Sequence, residues 1–440
     1  MTPEREAPTR LLVRGGQVVG DHGATSGDVL IDCGRIVALE EHIDAPRGTT
    51  VLDAEGCFVG PGLVDLHTHL REPGGERAET IETGTRAAAL GGYSAVVAMP
   101  NTEPTIDSAA MVHDVCQRAR SALVEVAVAG AITIGREGER LVPFAEMAAA
   151  GVRLFTDDGR GVQDAQLLRR ALEYAGDLGL ILAEHCEDEA LARGGHMHEG
   201  AWSSRLGIPA QPALAEEVML ARDLSLVRLT RSSMHFLHLS TEGSVALLRA
   251  ARSEGLPVTA EVTPHHLSLT DAEVASYDAR FKVNPPLRGA DDVAALREAV
   301  RAGLIDCVAT DHAPHAPEAK EAPFEEAPPG MTGLETALSV VFSALVATKE
   351  IDISECFVLC SSRPARIAGL DRKSGQGGPV AVGSPAHLCV FDPDVSYVVD
   401  PATGASKSAN SPFAGHTLTG RVRHTVVAGE AVVVDFEAQR

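Results

Sequence analysis

The run PGLVDLHTHLREPG at positions 61–74 sets His67, His69 and Arg71 at every second position behind the apolar Leu63, Val64 and Leu66. In an extended strand, residues two apart share a face. The two imidazoles can therefore share one metal ion, with the Arg71 guanidinium just beyond them. Two histidines at a strand end are weak evidence alone, since a metal site needs further ligands. The rest of the chain offers them. TDD ends a β-like segment with Asp157 and Asp158, AEHC carries His185, and HFLHLS carries His235 and His238. TPHHL adds His265 and His266, and ATDHAPH adds Asp311, His312 and His315, so nine of the 17 histidines fall at such ends. Imidazole and carboxylate together suit zinc or a similar divalent ion, which lowers the pKa of bound water to about 7.

The elements that must position these groups follow a regular alternation. Eight β-like segments, GLVDLHTH, YSAVVAMP, VEVAVAGAI, GVRLFTDD, LILAEHC, MHFLHLS, VTAEVTPHHL and IDCVATDH, are separated by Ala/Leu/Arg-rich stretches with helical spacing such as DAQLLRRALEYAGDLG. That pattern predicts an α/β fold, a (β/α)8 TIM-type barrel over 60–375, whose chemistry sits at the C-terminal strand ends. The flanks, 1–59 and 376–440, are β-rich with glycine turns, and neither is long enough for its own core. Together they predict one small β-sandwich domain built from both chain ends.

With 38 Lys and Arg against 61 Asp and Glu, the net charge of −23 argues against a nucleic-acid partner. An anionic substrate is still allowed, because a pocket's field is set by nearby arginine and metal. The opening MTPEREAPTR lacks an apolar signal-peptide core, and the apolar stretch 336–347 is too short to span a membrane. Eight scattered cysteines without a C-x-x-C pair read as reduced thiols in a cytoplasm, Cys186 and Cys307 as buried structural ones.

Taken in order, VDLHTHLREPG, MPNTEP, TDDG, EHCED, HFLHLS, TPHHL, KVNPPLR and ATDHAPH resemble the amidohydrolase superfamily. Within it the chain is similar to the dihydroorotases of bacterial pyrimidine biosynthesis, from about Leu11 to the C-terminus. The resemblance implies one or two zinc ions per subunit. His67 and His69 would bind one ion, His185 and His238 the second site, and Asp311 would ligate metal and move protons. Many relatives bridge the two sites with a carbamylated lysine; here GVRLFTDDGRG has none, matching a branch in which aspartate bridges. Spacing to His185 points to Asp158, with Asp157 the alternative. His235, His265, His266 and His312 are read as support, and His196 with His198 in GGHMHEG as a loop pair without metal.

The Arg71 fork suits a carboxylate. The resemblance adds Asn101, Asn284 and His315 as substrate contacts, and the backbone at Pro329 and Gly330 over the substrate ring. His69 belongs to both ligand and substrate shells. The implied activity is reversible interconversion of N-carbamoyl-L-aspartate and L-dihydroorotate. Hydroxide generated at zinc would attack the ring amide, with Asp311 as general acid and base. The implied setting is a cytoplasmic homo-oligomer without membrane contact, with an aspartate carbamoyltransferase complex as a partner. Two rivals are a hydantoinase- or allantoinase-like cyclic amidase and a non-catalytic scaffold for the carbamoyltransferase. Arg71 and the missing lysine disfavour the first; a full ligand set disfavours the second.

Overall fold

The computed structural model describes residues 10–20 and 23–440. The signal-peptide expectation rests largely on residues 1–9, outside the described residues. The chain opens with β1 (Arg10–Gly20), β2 (Gly23–Asp32), β3 (Arg35–Glu40), β4 (Thr49–Asp53) and β5 (Phe58–Pro61). β1 and β2 pair antiparallel. The β1–β2 pairing shifts register between Val13 and Gly16, and β1 also runs parallel to β4 along Arg10–Arg14 and to β5 at Gln17–Val18.

Eight parallel strands follow. They are β6 (Leu63–Thr68), β7 (Tyr93–Ala98), β8 (Glu125–Val128), β9 (Leu154–Thr156) and β10 (Ile181–Glu184), then, past a ribbon of β11 (Met197–His198) and β12 (Ala210–Gln211), β13 (Met234–Phe236), β14 (Val258–Val262) and β15 (Cys307–Val308). Each lies inside one of the eight segments read as strands. They hydrogen-bond as a three-stranded sheet, β6-β7-β8, and a five-stranded sheet, β9-β10-β13-β14-β15. Isolated parallel bridges, Gly130 with Phe155 and Thr68 with His312, touch both seams between the two sheets.

Helices fill the intervals as their caps dictate. Thr80 forms a capping box ahead of Ile81–Leu90, Asp164 caps Ala165–Asp177, and Thr241 caps Glu242–Ser253. β6 and β7 are buried along their whole length, as strands covered on both faces must be. Alternate residues divide between two cores. Val96, Ala98, Leu182, Val258 and Ala260 pack toward the helices. Val64, Leu66, Ala95, Val97, Ala183 and Ala309 pack together with Ala365, Ala368 and Leu370.

The chain returns to its first sheet through β16 (Leu388–Val398), β17 (Thr417–Val427), β18 (Glu430–Val434) and β19 (Glu437–Ala438). β16 pairs antiparallel with β5, so both chain ends share one nine-stranded sheet. Leu388 and Val390 enter that sheet's own core with Leu11, Ile31 and Val59. Cys389 and Phe391, on the opposite face of the same strand, enter the core of the β/α unit. No helix among the described residues is long and apolar enough to cross a membrane. All eight cysteines are free, Cys186 and Cys307 buried.

Candidate metal centre

Simple strand alternation does not deliver the first two histidines. β6 ends at Thr68, so His69 and Arg71 lie in the following loop. Opposite β7, Asp65 faces Val96 while Thr68 faces Ala98, an extra residue that makes a bulge. Bulges re-aim side chains next to functional sites, and this one lies at Leu66 and His67. Leu66 stays in the apolar cluster and His67 turns toward the polar end. Arg71 (φ 61°), His238 (φ 29°) and Asp311 (φ 47°) each hold a left-handed backbone that non-glycine residues rarely adopt. Such strain concentrates at functional sites.

The side chains converge on Asp158. Its Oδ1 lies 3.3 Å from His67 Nε2 and 3.7 Å from both His185 Nδ1 and His238 Nε2, and its Oδ2 lies 3.4 Å from His69 Nε2. Asp311 Oδ1 stands 3.0 Å from His69 Nε2 and 3.5 Å from His67 Nε2. All six residues are buried. Asp157, the alternative, points elsewhere: its carboxylate accepts from the backbone N–H groups of Ile132 (2.8 Å) and Thr133 (3.0 Å) and from the Thr133 hydroxyl.

The outer partners decide which nitrogen faces inward. His67 Nδ1–H donates to Glu261 at 2.8 Å, and His69 Nδ1–H donates to Asn101 Oδ1 at 2.8 Å. Both rings then present the Nε2 lone pair to carboxylate oxygens, and His67 Nε2 is buried without a hydrogen-bond partner. His185 Nδ1 and His238 Nε2 face each other at 2.9 Å. Imidazole nitrogens and carboxylate oxygens gathered this closely in a buried pocket suit a cation. Two sets meet ligand spacing, His67, His69 and Asp158, and Asp158, His185 and His238. The donor set therefore fits one or two divalent ions, with Asp158 common to both. Burial works to raise the carboxyls of Asp158 and Asp311, but positive charge among the imidazoles, at His67 foremost, holds both below the ordinary carboxylate range.

Glu261 escaped the sequence reading. It is fully buried in β14, joins His67 to His235 (Nε2, 3.1 Å), and His235 Nδ1 contacts the Thr259 hydroxyl. Burial opposes its charge, yet His235 and His67 hold it at about 2. A third set with ligand spacing, His235, Glu261 and Cys307, lies within this supporting layer. Asp65 was missed too; it accepts from the Thr310 N–H and hydroxyl and so fixes the turn before Asp311. The signal available for both was an acid inside an apolar strand run.

The other predicted contacts lie around the cluster. Arg71 Nε donates to the Pro314 carbonyl, and burial lowers its guanidinium to about 10, still a cation at neutral pH. The neighbouring Glu72 does not pair with it: Glu72 meets Arg118 at 3.0 Å and accepts from Ile81 N–H. Asn101 is engaged through Oδ1, which accepts from His69 Nδ1–H. Asn284 brings its amide 3.3 Å from His185 Nε2. His315 Nε2–H is spent on the Pro329 carbonyl at 2.8 Å, and burial followed by the Arg71 charge pushes its imidazole down to about 3. Gly330 donates its N–H to the Lys282 carbonyl and accepts from Asn410. Its expected hydrogen bond to a substrate ring therefore has no free N–H in this arrangement.

His312 contacts Glu79, and His266 bridges Thr263 and the Pro285 carbonyl. His265 stays buried with Nε2 unpartnered. His196 and His198 pack on Lys282 and Arg288 in the ribbon, in none of the three sets with ligand spacing.

Residues 56–244 match a family model described as dihydro-orotase-like, and residues 238–433 one described as amidohydrolase family. Proteins named dihydroorotase from Pelotomaculum thermopropionicum and Streptomyces coelicolor are each 47% identical, over 97% of this chain and 99% of their own. That of Mycobacterium tuberculosis is 46% identical over 97% of this chain and 98% of its own. Among solved structures, L-hydantoinase (dihydropyrimidinase) from Arthrobacter aurescens superposes with a TM-score of 0.88 at 26% identity, covering 98% of this chain and 97% of that one.

Proposed function

Because this chain belongs to the dihydroorotase family of metal-dependent amide hydrolases, we propose that it opens and closes the ring amide of L-dihydroorotate, with N-carbamoyl-L-aspartate as the open form. The observation that carries the reading is the convergence of four imidazoles and Asp311 on Asp158 beside Arg71. His67, His69, Asp158, His185, His238 and Asp311 would hold one or two ions, zinc by donor type. Such an ion lowers the pKa of water to about 7 and polarises a carbonyl oxygen.

The chain's own groups then have separable tasks. Arg71 and the Asn101 amide bind the exocyclic carboxylate and set the ring's orientation. Asp311, ionised, accepts a proton from the attacking water and returns it to the leaving ring nitrogen. In the closing direction it takes that proton from the carbamoyl nitrogen. His315 holds the Pro329–Gly330 segment, and Asn284 stands at the ring's edge.

We extend the proposal to a closed (β/α)8 barrel, since bridges lie at both sheet seams. The nine-stranded sheet would be the small β-sandwich domain, with boundaries at 59/60 and 375/376. On family resemblance alone we add a cytoplasmic homo-oligomer that pairs with an aspartate carbamoyltransferase.

The test is hydrolysis of L-dihydroorotate by the zinc-supplied protein beside dihydrouracil, which lacks the carboxylate. Turnover of the first alone, abolished in Arg71→Ala and Asp311→Ala, is expected. Turnover of dihydrouracil alone moves the assignment to hydantoinase chemistry, the reading that the solved-structure likeness favours. No turnover of either, with the carbamoyltransferase added, favours the scaffold.

A further inference from the structure

Beside the ligand cluster opens a second cavity of about 260 Å³, walled in part by Arg71, Asn101, Thr102, Glu103, Arg136 and Arg160. Its three arginines share an unusual state. Arg71 Nε donates to the Pro314 carbonyl, Arg136 Nη2 to the Asp158 carbonyl at 2.7 Å, and Arg160 Nη1 to the Arg136 carbonyl at 3.5 Å. Their acceptors are peptide carbonyls, and no carboxylate lies within ion-pair distance of any of the three among the described residues. The Arg136 Nε is buried with no partner at all. Backbone strain supports the arrangement, since Gly135 and Arg136 are consecutive left-handed residues (φ 63° and 56°). Three arginines without a direct ion pair face one small space that Glu103 also lines, and an arriving anion would give them the partner they lack.

The whole molecule makes such a device useful. A net charge of −23 repels anions at long range, whereas the open-chain substrate carries two carboxylates. With three arginines against the single Glu103, the cavity wall is net positive, and such a cleft focuses the local field and raises the concentration of anions. We propose that Arg136 and Arg160 form, with Arg71, an anion vestibule that draws dicarboxylates to the ligand cluster and passes one carboxylate to Arg71. This rests on the dihydroorotase reading of the neighbouring site. Arg136 has a second task, because its bond to the Asp158 carbonyl holds the loop that carries the shared ligand. The cleaner probe is Arg160, which is exposed and anchors nothing buried.

The experiment measures kcat/KM for ring closure of N-carbamoyl-L-aspartate by the zinc-loaded protein as salt rises from about 0.01 M to about 0.1 M, where the screening length falls from about 30 to about 10 Å. The parent is expected to lose at least about threefold across this range, because the arginines and not the global charge govern the approach. Arg160→Gln should start about fivefold lower and converge on the parent at the higher salt. Arg136→Lys keeps the charge and should keep the parent's salt slope whatever happens to kcat. A parent rate that rises with salt, or an Arg160→Gln slope equal to the parent's, overturns the vestibule. If no turnover occurs in any condition, with the carbamoyltransferase added as well, the dihydroorotase reading fails instead. Succinate binding to the zinc-loaded protein then decides the vestibule: weakening by Arg160→Gln at low salt alone supports it, and equal binding refutes it.

Discussion

His67 can offer Nε2 to the cluster because Glu261 takes its other nitrogen, and Glu261 can stay ionised because His235 supports it from behind. Outer partners of this kind orient a ligand and raise its basicity. Glu261→Gln keeps the volume and removes the charge, so zinc affinity should fall about 10- to 100-fold, read by competition with a chelator. Unchanged affinity would reduce Glu261 to packing. Arg71 makes the complementary case. A planar fork on a carboxylate is worth about 1.5–3 kcal/mol as charge-assisted hydrogen bonds. Arg71→Lys should therefore cost roughly 10- to 150-fold in kcat/KM on L-dihydroorotate. A loss confined to kcat, with KM unmoved, would mean that Arg71 does not seat the carboxylate.

At the scale of elements, the site depends on interruptions of regular structure. The bulge in β6 and the left-handed turns at Arg71, His238 and Asp311 aim side chains that plain strands would send elsewhere. The segment after Asp311 is anchored by Lys320, whose ammonium donates to the carbonyls of Ala279 and Lys282. Burial, then the Lys282 charge, pushes that ammonium down to about 7 from 10.5. Between those two values the unfolded chain holds the proton and the folded one does not. This group's contribution to stability therefore rises with pH through that window. Between pH 7 and 9 the Tm of the parent should rise relative to that of Lys320→Met, which cannot titrate. Parallel curves would show that Lys320 keeps its charge on those carbonyls.

For the molecule as a whole, β16 is the joint. Its alternate residues enter two cores, and Phe391 sits against Phe342 with ring centroids 5.2 Å apart. Phe391→Ala should cost about 3–5 kcal/mol, measured by urea unfolding. The loss should appear in one transition that takes the nine-stranded sheet and the β/α unit together. Two separated transitions would mean that the sheet folds independently of the unit it flanks.

What the sequence determined by itself was local in origin. The eight strand segments follow from short apolar runs between helical periods. Histidines and aspartates at the ends of such runs marked a metal site, and the family resemblance picked the six expected ligands out of that larger group. The β character of the two flanks was legible, and so was their union, since neither is long enough for its own core; which strands meet was not, because β5 and β16 are joined only by backbone pairing across the chain's length. Spacing pointed to Asp158 and left Asp157 open; tertiary structure separates the two by what surrounds them, since one meets backbone donors and the other four imidazoles. It also supplied Glu261, which lies 194 residues from the histidine it orients. Periodicity reports which face a side chain takes, and carries no record of the partner that long-range packing brings to it.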